Sequence, residues 1–326
     1  VAQVLDGNVL AASIRADLAD RVAKLKADGI TPGLGTILVG DDGPSARYVQ
    51  MKHEDCAEIG IASAHEHLPE NASQPDVLDA VHRFNDDEAV DAYLMQYPFP
   101  GGLDYESALL AVDADKDVDG LHPINLGRLV QGVPAALPCT PHGILVMLEH
   151  YGIELPGAHV VIVGRGLTIG RPLANLLTLK RPDANAAVTV VHTGVADIGA
   201  YTRQADVLIA AAGSPHLVTA DMVKPGAVVV AAGVSFDGKK VISDVADDVA
   251  DVASWLSPEN SELYRRYLEP DWLSNLTDSK VLYRILQIPE EELWRAHEMG
   301  RSRLIRTARE LAENQLKQRN ASRSEI

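Results

Sequence analysis

Four polar side chains in the first part of the chain have types and spacings that suit acid–base chemistry. Tyr48 and Lys52 lie four residues apart, so in a helix they share one face. A lysine that loses solvation can act as an acid or base near neutral pH. Gln96 stands at the C-terminal end of a predicted strand, the edge where open α/β sheets build their sites. Asp119 lies in a loop, where a carboxylate can bind an N–C–N edge with two hydrogen bonds. Each residue taken singly is an ordinary surface or turn residue, and their combination indicates a catalytic site.

A glycine-rich loop in the second part of the chain has the form of a phosphate-binding loop. Gly164, Gly166 and Gly170 follow a continuous β-branched strand, His159–Val163, and precede a helix predicted to begin near Arg171. Glycines let the backbone approach a phosphate closely, and a helix N-terminus offers unpaired N–H groups. The spacing is one residue longer than the usual G-x-G-x-x-G, and a tight turn without a ligand is the alternative. The flanking strand and helix favour a dinucleotide site.

The residues around this loop favour NADP over NAD. Enzymes specific for NAD usually end the second strand with an acid that binds the ribose hydroxyl. Here that strand ends in His192–Thr193–Gly194, without an acid, and Arg165 sits in the loop, where a guanidinium can pair with an extra phosphate. A solvated loop cation is the alternative reading of Arg165.

Composition excludes several classes of protein. The 326 residues carry 29 Lys and Arg against 46 Asp and Glu, and this net charge of −17 argues against a nucleic-acid binder. No apolar run reaches the ~18 residues of a membrane-spanning helix. Two cysteines, Cys56 and Cys139, are too few for a disulfide scaffold or a thiolate metal site, and the histidines show no metal-ligand spacing. We therefore expect a soluble, cytoplasmic protein with a small-molecule ligand and no metal.

Strands and helices alternate along the chain, which predicts an α/β fold with two domains. The predicted strands are Leu34–Gly40, Ala92–Gln96, His159–Val163, Val188–His192, Val207–Ala211 and Ala227–Ala231. The predicted helices are Leu10–Gly29, Ser45–Gly60 with Ser45 as N-cap, Val77–Asn85 and Pro141–Tyr151. A proline-rich passage at 133–141 marks the boundary between an α/β catalytic domain, 1–138, and a Rossmann-like parallel-sheet NADP-binding domain, 139–256. An atypical helical C-terminal segment, 257–326, would pack back on the first domain.

Several separate segments occur in the order and spacing of one family, namely YVQMK, MQYPFP, KDVDGLHPINLGRL, LPCTPHGI and GRGLTIGRPLANLL. Over about Leu5–Val245 the chain resembles the bifunctional methylenetetrahydrofolate dehydrogenase/methenyltetrahydrofolate cyclohydrolases, most of all the bacterial ones. The resemblance implies that the chain oxidises 5,10-methylenetetrahydrofolate with NADP and hydrolyses the methenyl product to 10-formyltetrahydrofolate, in one cleft between two domains. It also implies a place in one-carbon metabolism and purine biosynthesis, and a homodimer.

The same resemblance implies a role for each candidate residue. Lys52 would be the key catalytic group, Tyr48 would stack on and orient the folate, and Gln96 would hydrogen-bond Lys52. Asp119 would anchor the N–C–N edge of the pterin. Because the methenyl substrate is a cation, a neutral lysine is tolerated beside it and a protonated one is repelled. The residues that would contact the dinucleotide are Gly164, Arg165, Gly166, Gly170, Thr193 and Val234.

Three features depart from the family pattern. Gly166 is more often serine, so the phosphate site lacks one hydroxyl, and Ala231–Ala232 stand where the family has an aspartate. The Pro-Gly-Gly-Val-Gly-Pro loop that closes over cofactor and folate does not follow Leu256. Leu263–Leu311 resembles instead a helical stretch of the α-glucan phosphorylases, with a helix start at Pro289, but carries none of their catalytic or cofactor-lysine motifs.

Two further hypotheses follow from these observations. Without the glycine loop the cleft loses backbone N–H groups and a lid against water, which favours a dinucleotide-binding protein that no longer catalyses and has a helical interaction tail. The presence of Tyr48, Lys52, Gln96 and Asp119 favours an active enzyme. A short-chain dehydrogenase with a Tyr-x-x-x-Lys pair is excluded by order, because that pair follows the nucleotide loop there and precedes it here.

Overall fold

The computed structural model describes residues 2–237 and 240–256, and over these ranges the predicted α/β fold is confirmed. They divide into two compact units, one formed by Asp17–His122 and the other by residues 2–16 together with 123–256. The predicted domain limits at 138 and 256 stay a prediction. The predicted helical segment 257–326, with its helix start at Pro289, lies outside the described residues.

The strands and helices are numbered in chain order. They are β1 (Gln3–Val4), α1 (Gly7–Ala27), β2 (Gly33–Val39), α2 (Gly43–Ile59), β3 (Ala62–Leu68), α3 (Gln74–Asp86), β4 (Ala92–Met95), α4 (Tyr105–Ala111), α5 (Pro123–Gln131), α6 (Cys139–His150), β5 (His159–Val163), α7 (Gly170–Leu177), β6 (Ala187–Val191), α8 (Gly199–Thr202), β7 (Val207–Ala210), β8 (Val228–Ala231), β9 (Val234–Asp237), β10 (Lys240–Ser243) and β11 (Trp255–Leu256). None of the described helices has the length and apolar character needed to cross a membrane.

The unit Asp17–His122 contains a three-stranded parallel sheet in the order β3-β2-β4. All seven residues of the central strand β2 are buried, which is why its apolar run could be recognised in the sequence. The edge strand β3 was not predicted, because its residues are exposed or half-buried and include two histidines and a glutamate. Val77, Val81 and Phe84 of α3 pack in one core cluster with Ile37 and Tyr93 of the sheet.

Local hydrogen bonds fix both ends of α2, the helix that carries Tyr48 and Lys52. The Asp42 carboxylate accepts hydrogen bonds from the backbone N–H of Ser45 at 2.9 Å and from its hydroxyl at 2.6 Å. Asp42 is therefore the N-cap, and the prediction of Ser45 is wrong, because the proline in the first turn lets the helix begin earlier. Gly60, at φ 88°, ends the helix.

The other unit contains a sheet in the order β1-β11-β8-β7-β5-β6, in which every neighbouring pair is parallel. Alternate residues of β5 enter two different core clusters: Val160 and Ile162 pack in the cluster that includes α6 and α7, and Val161 and Val163 in the other. Both faces of the sheet are therefore covered. The predicted Rossmann-like arrangement is confirmed, and β5 has the bounds read from the sequence.

A buried carboxylate holds the loop after β7. The Asp244 side chain has no solvent exposure and accepts hydrogen bonds from three successive backbone N–H groups, those of Ala212 at 2.6 Å, Gly213 at 2.9 Å and Ser214 at 2.6 Å. Gly233 lies directly against it, since a Cβ at that position would be 1.9 Å from Asp244 Oδ2. These charge-assisted hydrogen bonds offset the cost of burying the carboxylate.

Replacing Gly233 with alanine should destabilise the protein. The added Cβ would displace the Asp244 carboxylate or the Ala212 N–H, 3.0 Å away, and so break buried hydrogen bonds. We expect the free energy of unfolding to fall by about 3 kcal/mol or more, measured by urea denaturation. Gly127→Ala in α5 is the matched control, because its Cβ would meet nothing within 4 Å and should raise stability by about 0.5–1 kcal/mol. Equal effects of the two substitutions would contradict this account of Asp244.

Candidate functional site

The structure brings Lys52 and Gln96 together across 44 residues of sequence. Lys52 Nζ donates a hydrogen bond to Gln96 Oε1 at 3.3 Å. Gln96 Nε2 donates in turn to the backbone carbonyl of Tyr97 at 2.8 Å, which decides which end of the amide faces the lysine. Gln96 directly follows β4, and its own N–H donates to the carbonyl of Ile37 in β2 at 2.8 Å. The Gln96 side chain therefore leaves the C-terminal edge of the sheet, where a site is expected.

Asp119 lies within electrostatic reach of Lys52. Burial raises the pKa of the Asp119 carboxyl above its ordinary value; the positive charge of Lys52 opposes this rise and the carboxylate of Asp117 adds to it. Tyr48 is half-buried and precedes Lys52 by one turn of α2, on the same face. The unit thus groups Lys52, Gln96 and Asp119 and places Tyr48 on the helix face that carries the lysine.

Three aromatic rings adjoin this group, and sequence reasoning did not single them out. Tyr97 contacts Tyr105 edge to face, with ring centres 5.3 Å apart, and Tyr105 contacts Phe99 in the same way at 5.1 Å. Burial raises the pKa of Tyr105, and the negative charge of Asp119 contributes to the rise, so this phenol stays protonated. Tyr97, in contrast, remains 65% exposed.

A second polar cluster links α2 to the sheet through one hydroxyl. The buried Thr36 Oγ1 lies 3.0 Å from His53 Nε2 and 2.8 Å from His65 Nδ1. A hydroxyl has one proton, so it can donate to one imidazole while accepting an N–H from the other. Burial is the main cause of the lowered pKa of both His53 and His65. The charges of His65 and Lys52 lower the pKa of His53 further, whereas a hydrogen bond with the Thr36 backbone opposes the fall at His65.

The glycine loop after β5 is tightly packed at two positions and open at a third. At Gly164, φ is 128°, and a Cβ would lie 2.1 Å from the carbonyl oxygen of Ala211; at Gly170 it would lie 2.2 Å from that of Gly164. At Gly166 the nearest atom to an added Cβ is Thr168 Oγ1, 3.9 Å away. No side-chain hydrogen bond caps the N-terminus of α7, so an anionic ligand can supply the cap. The loop fits a phosphate group at Gly166.

Two hydrogen-bond donors face each other beside this loop. His192 Nδ1 accepts a hydrogen bond from the N–H of Gly194 at 3.0 Å, so a neutral His192 carries its proton on Nε2. That Nε2 lies 3.3 Å from Nη1 of Arg165, which can only donate. Within the described part of the chain Arg165 forms no ion pair with a carboxylate. The pair therefore suits an anion placed beside both groups, and His192 is a residue that sequence reasoning did not single out.

The remaining cofactor candidates also belong to this unit. Thr193 follows the end of β6 and is exposed, and Val234 begins β9. Their contact with a dinucleotide stays a prediction, as does that of Gly170, which is buried against Gly164. In the described ranges, no group of three or more histidine, cysteine or acidic side chains has the arrangement of a metal site.

Comparison with known proteins identifies the family. The model of the tetrahydrofolate dehydrogenase/cyclohydrolase catalytic domain matches residues 5–119, and that of the NAD(P)-binding domain matches residues 138–262. The chain belongs to the tetrahydrofolate dehydrogenase/cyclohydrolase family. The resemblance carried by the five sequence segments is thereby confirmed, whereas the likeness of Leu263–Leu311 to phosphorylases falls on residues that the structure does not describe.

Relatives in this family match most of the chain. The bifunctional protein FolD of Syntrophotalea carbinolica is 57% identical over 257 residues, which cover 79% of this chain and 89% of that protein. The crystal structure of FolD from Campylobacter jejuni has a TM-score of 0.80 and 37% identity, and covers 87% of this chain and 100% of its own. The Trypanosoma brucei FolD, complexed with NADP and an inhibitor, has a TM-score of 0.77 and 33% identity, covering 84% and 95%.

Replacing Gly166 with serine, the residue that the resemblance implies at this position, should strengthen nucleotide binding. The backbone there is not left-handed and the added Cβ has room, so the fold should be kept while the hydroxyl gives the phosphate one more donor. We expect the dissociation constant for NADPH, measured by fluorescence titration, to fall about two- to tenfold.

Gly164→Ser is the matched control for this substitution. Its Cβ would collide with the Ala211 carbonyl, and its φ of 128° disfavours any side chain, so we expect loss of stability and of binding. A Gly166→Ser protein that is folded yet binds NADPH no better than the wild type would contradict the placement of the phosphate.

Acid should weaken the fold through the histidine pair. The pKa values of His53 and His65 in the folded protein lie below the ordinary 6.5, so their neutral forms stabilise it. That contribution is complete above about pH 6.5 and is lost as pH falls through the lowered folded values. Replacing both with glutamine should therefore reduce the loss of unfolding free energy between about pH 7.5 and pH 5, by no more than about 1 kcal/mol because the rings are partly solvated.

Urea denaturation at the two pH values measures this effect, with His82→Gln on the exposed face of α3 as the control. The control should lose as much stability on acidification as the wild type. If the double variant does so too, the histidine pair does not contribute to the acid sensitivity.

Proposed function

We propose that the chain catalyses the NADP-dependent oxidation of 5,10-methylenetetrahydrofolate to 5,10-methenyltetrahydrofolate and the hydrolysis of that product to 10-formyltetrahydrofolate. The observation that carries the proposal is the hydrogen bond from Lys52 Nζ to Gln96 Oε1, in a unit that also holds Asp119 near the lysine. The match to both domains of the family supplies the class of substrate. Reduced folates are therefore the proposed ligands, with no role for nucleic acid or a membrane.

Lys52 would move the proton in the hydrolysis. A base must take a proton from the attacking water and return one as the carbon–nitrogen bond opens, and a neutral amine can do both. The Gln96 amide neither gains nor loses a proton near neutral pH. It can therefore position the Lys52 amine without exchanging a proton with it. The backbone carbonyl of Tyr97 holds the glutamine amide in the required orientation. A positively charged substrate also favours the neutral over the protonated form of an adjacent lysine.

Asp119 would orient the pterin, and Tyr48 would stack on the folate from the face of α2. A carboxylate can accept two parallel hydrogen bonds from the N–H groups along an N–C–N edge. Burial raises the pKa of Asp119, so two donors from the ligand would replace lost hydration and favour the ionised form. The sequence around Asp119, a loop position before a glycine, does not indicate this burial.

The nucleotide-binding unit would hold NADP through the loop after β5. The pyrophosphate would lie at Gly164, Gly166 and the start of α7, and the extra phosphate at Arg165 and His192. When bound, NADP supplies the acceptor for the hydride removed from the one-carbon unit. The residues directly after β6, His192–Thr193–Gly194, include no acid, which supports NADP over NAD because no carboxylate at this strand end competes with a phosphate for Arg165.

We also propose that the protein is a cytoplasmic homodimer that serves one-carbon metabolism and purine biosynthesis. Neither Cys56 nor Cys139 is joined in a disulfide, and burial raises the pKa of the Cys56 thiol to about 12, which suits a reducing compartment. Sedimentation of the purified chain would test the dimer.

The direct test measures the rise in NADPH absorbance when the purified chain is mixed with methylenetetrahydrofolate and NADP. The same assay with NAD in place of NADP is the control. Turnover with NADP and much weaker turnover with NAD is the expected result. The missing glycine loop after Leu256 favours one competing function, a dinucleotide-binding protein that no longer catalyses. That alternative predicts NADPH binding without turnover.

Replacing Lys52 with methionine should abolish hydrolysis and leave nucleotide binding unchanged. Loss of the proton-transferring amine should lower the cyclohydrolase rate at least 100-fold, while the dissociation constant for NADPH stays within twofold of the wild type. Lys24→Met, on the exposed end of α1 in the same unit, is the control and should be unchanged in both. Undiminished hydrolysis by the Lys52 variant would overturn the assigned role.

A further inference from the structure

Two consecutive residues of α2 are attached to two consecutive residues of β2. His53 Nε2 lies 3.0 Å from the buried hydroxyl of Thr36. Lys52 Nζ donates a hydrogen bond to Gln96 Oε1 at 3.3 Å, and the Gln96 N–H donates to the carbonyl of Ile37 at 2.8 Å. Successive side chains of a helix point about 100° apart, so the two attachments together fix the rotation of α2 about its own axis.

The Thr36 hydroxyl is held in turn from the neighbouring strand. Thr36 and His65 are paired in the parallel register of β2 and β3, and Thr36 Oγ1 lies 2.8 Å from His65 Nδ1. The rings of His53 and His65 meet edge to face, with centres 5.2 Å apart and an angle of 75°. The hydroxyl can donate to one neutral imidazole while it accepts from the other. The attachment of α2 at His53 is therefore anchored in both strands.

The groups around the two imidazoles favour their neutral forms. Burial, the charge of His65 and the charge of Lys52 lower the pKa of His53 below its ordinary value. On β3, His65 is followed on the same face by His67, with ring centres 6.1 Å apart, and His67 Nε2 lies 3.2 Å from Asp41 Oδ1. At about pH 7.5 His53 is therefore neutral, and the bridge through the hydroxyl is complete.

We propose that His53 is a positioning residue for the hydrolysis, because its contact with Thr36 sets the rotation of α2 that directs the Lys52 amine to Gln96. This inference rests on the proposed function for the role of Lys52. The imidazole acts through the helix, and neither the substrate nor the transferred proton touches it. Loss of the imidazole should therefore impair the hydrolysis, which uses the Lys52 amine, more than the oxidation, in which that amine has no assigned role.

The test compares the two reactions of the full chain at about pH 7.5, with added methenyltetrahydrofolate for the hydrolysis. His53→Leu has no polar group for the hydroxyl and should lower kcat of the hydrolysis about tenfold, with oxidation within threefold of the wild type. His53→Gln carries an amide that can still bond the hydroxyl, and it should keep the hydrolysis within threefold. His82→Gln, on the exposed face of α3, is the control and should change neither reaction.

Two outcomes of these assays would overturn the proposal. Undiminished hydrolysis by His53→Leu would show that the contact does not position the amine. An equal loss of both reactions would show a general effect on the fold. Thr36→Val removes the hydroxyl at nearly constant size and should behave like His53→Leu, which covers the case of a leucine variant that does not fold.

Chemical labelling tests the position of the amine without turnover. Acetylation of the folded chain by acetic anhydride, located by mass spectrometry, should be at least threefold faster at Lys52 in His53→Leu than in the wild type, because an amine released from Gln96 is more accessible. His53→Gln should match the wild type. The exposed Lys24 of α1 is the internal reference and should react equally in all three proteins. Equal labelling of Lys52 in the leucine variant and the wild type would contradict the positioning role.

The two proposals can fail separately. Labelling of Lys52 that depends on His53, in a wild-type chain without turnover, would refute the proposed activity and support the positioning role. Turnover by the wild type, with hydrolysis and labelling independent of His53, would refute the positioning role alone. A wild-type chain without turnover whose Lys52 labelling is independent of His53 would refute both.

Discussion

The Gln96 amide joins the side-chain nitrogen of Lys52 to the backbone carbonyl of Tyr97, and its two ends are not interchangeable. The carbonyl end accepts from the lysine and the NH₂ end donates to the backbone, so a flipped amide would set its oxygen against the carbonyl oxygen of Tyr97, acceptor against acceptor. This requirement ties a helix to the end of a strand. The remaining geometry of the unit, from the cap at Asp42 to the buried β2, serves to keep both partners in register.

Sequence reasoning succeeded where a single element decides the outcome. Residues Val160–Val163 of β5 are an apolar run that is buried, and the predicted bounds of this strand agree with the structure. Tyr48 and Lys52 lie four residues apart, so a helix at this place was enough to put them on one face. Sequence reasoning failed where a strand mixes polar and apolar residues, and where a contact joins residues that are not neighbours in sequence. β3 is an edge strand with polar residues, and nothing in the sequence near Gly233 reveals that the Asp244 carboxylate lies against it. The alternation of residue types along a strand does not reveal which side chain packs against a glycine.

In the loop after β5, the three glycines of one motif are present for different physical reasons. Gly164 and Gly170 are required by close backbone packing, which holds with or without a ligand, because each would place a Cβ within 2.2 Å of a carbonyl oxygen. Gly166 has no such constraint. Two of the three glycines in the motif are therefore required by packing and the third is not, and only a structure distinguishes them.

Asp244 occupies a group of backbone amides in this unit that could otherwise bind an anion. Three consecutive amides that point at one centre form a nest, the backbone shape that captures phosphate in many proteins. Here the nest after β7 is filled by an anion that the chain itself supplies. β7 and β5 are neighbours in the sheet, so an incoming nucleotide meets two adjacent loops, of which one is already neutralised. Asp244 thus occupies the amides after β7, whereas no side-chain hydrogen bond caps the start of α7 after β5.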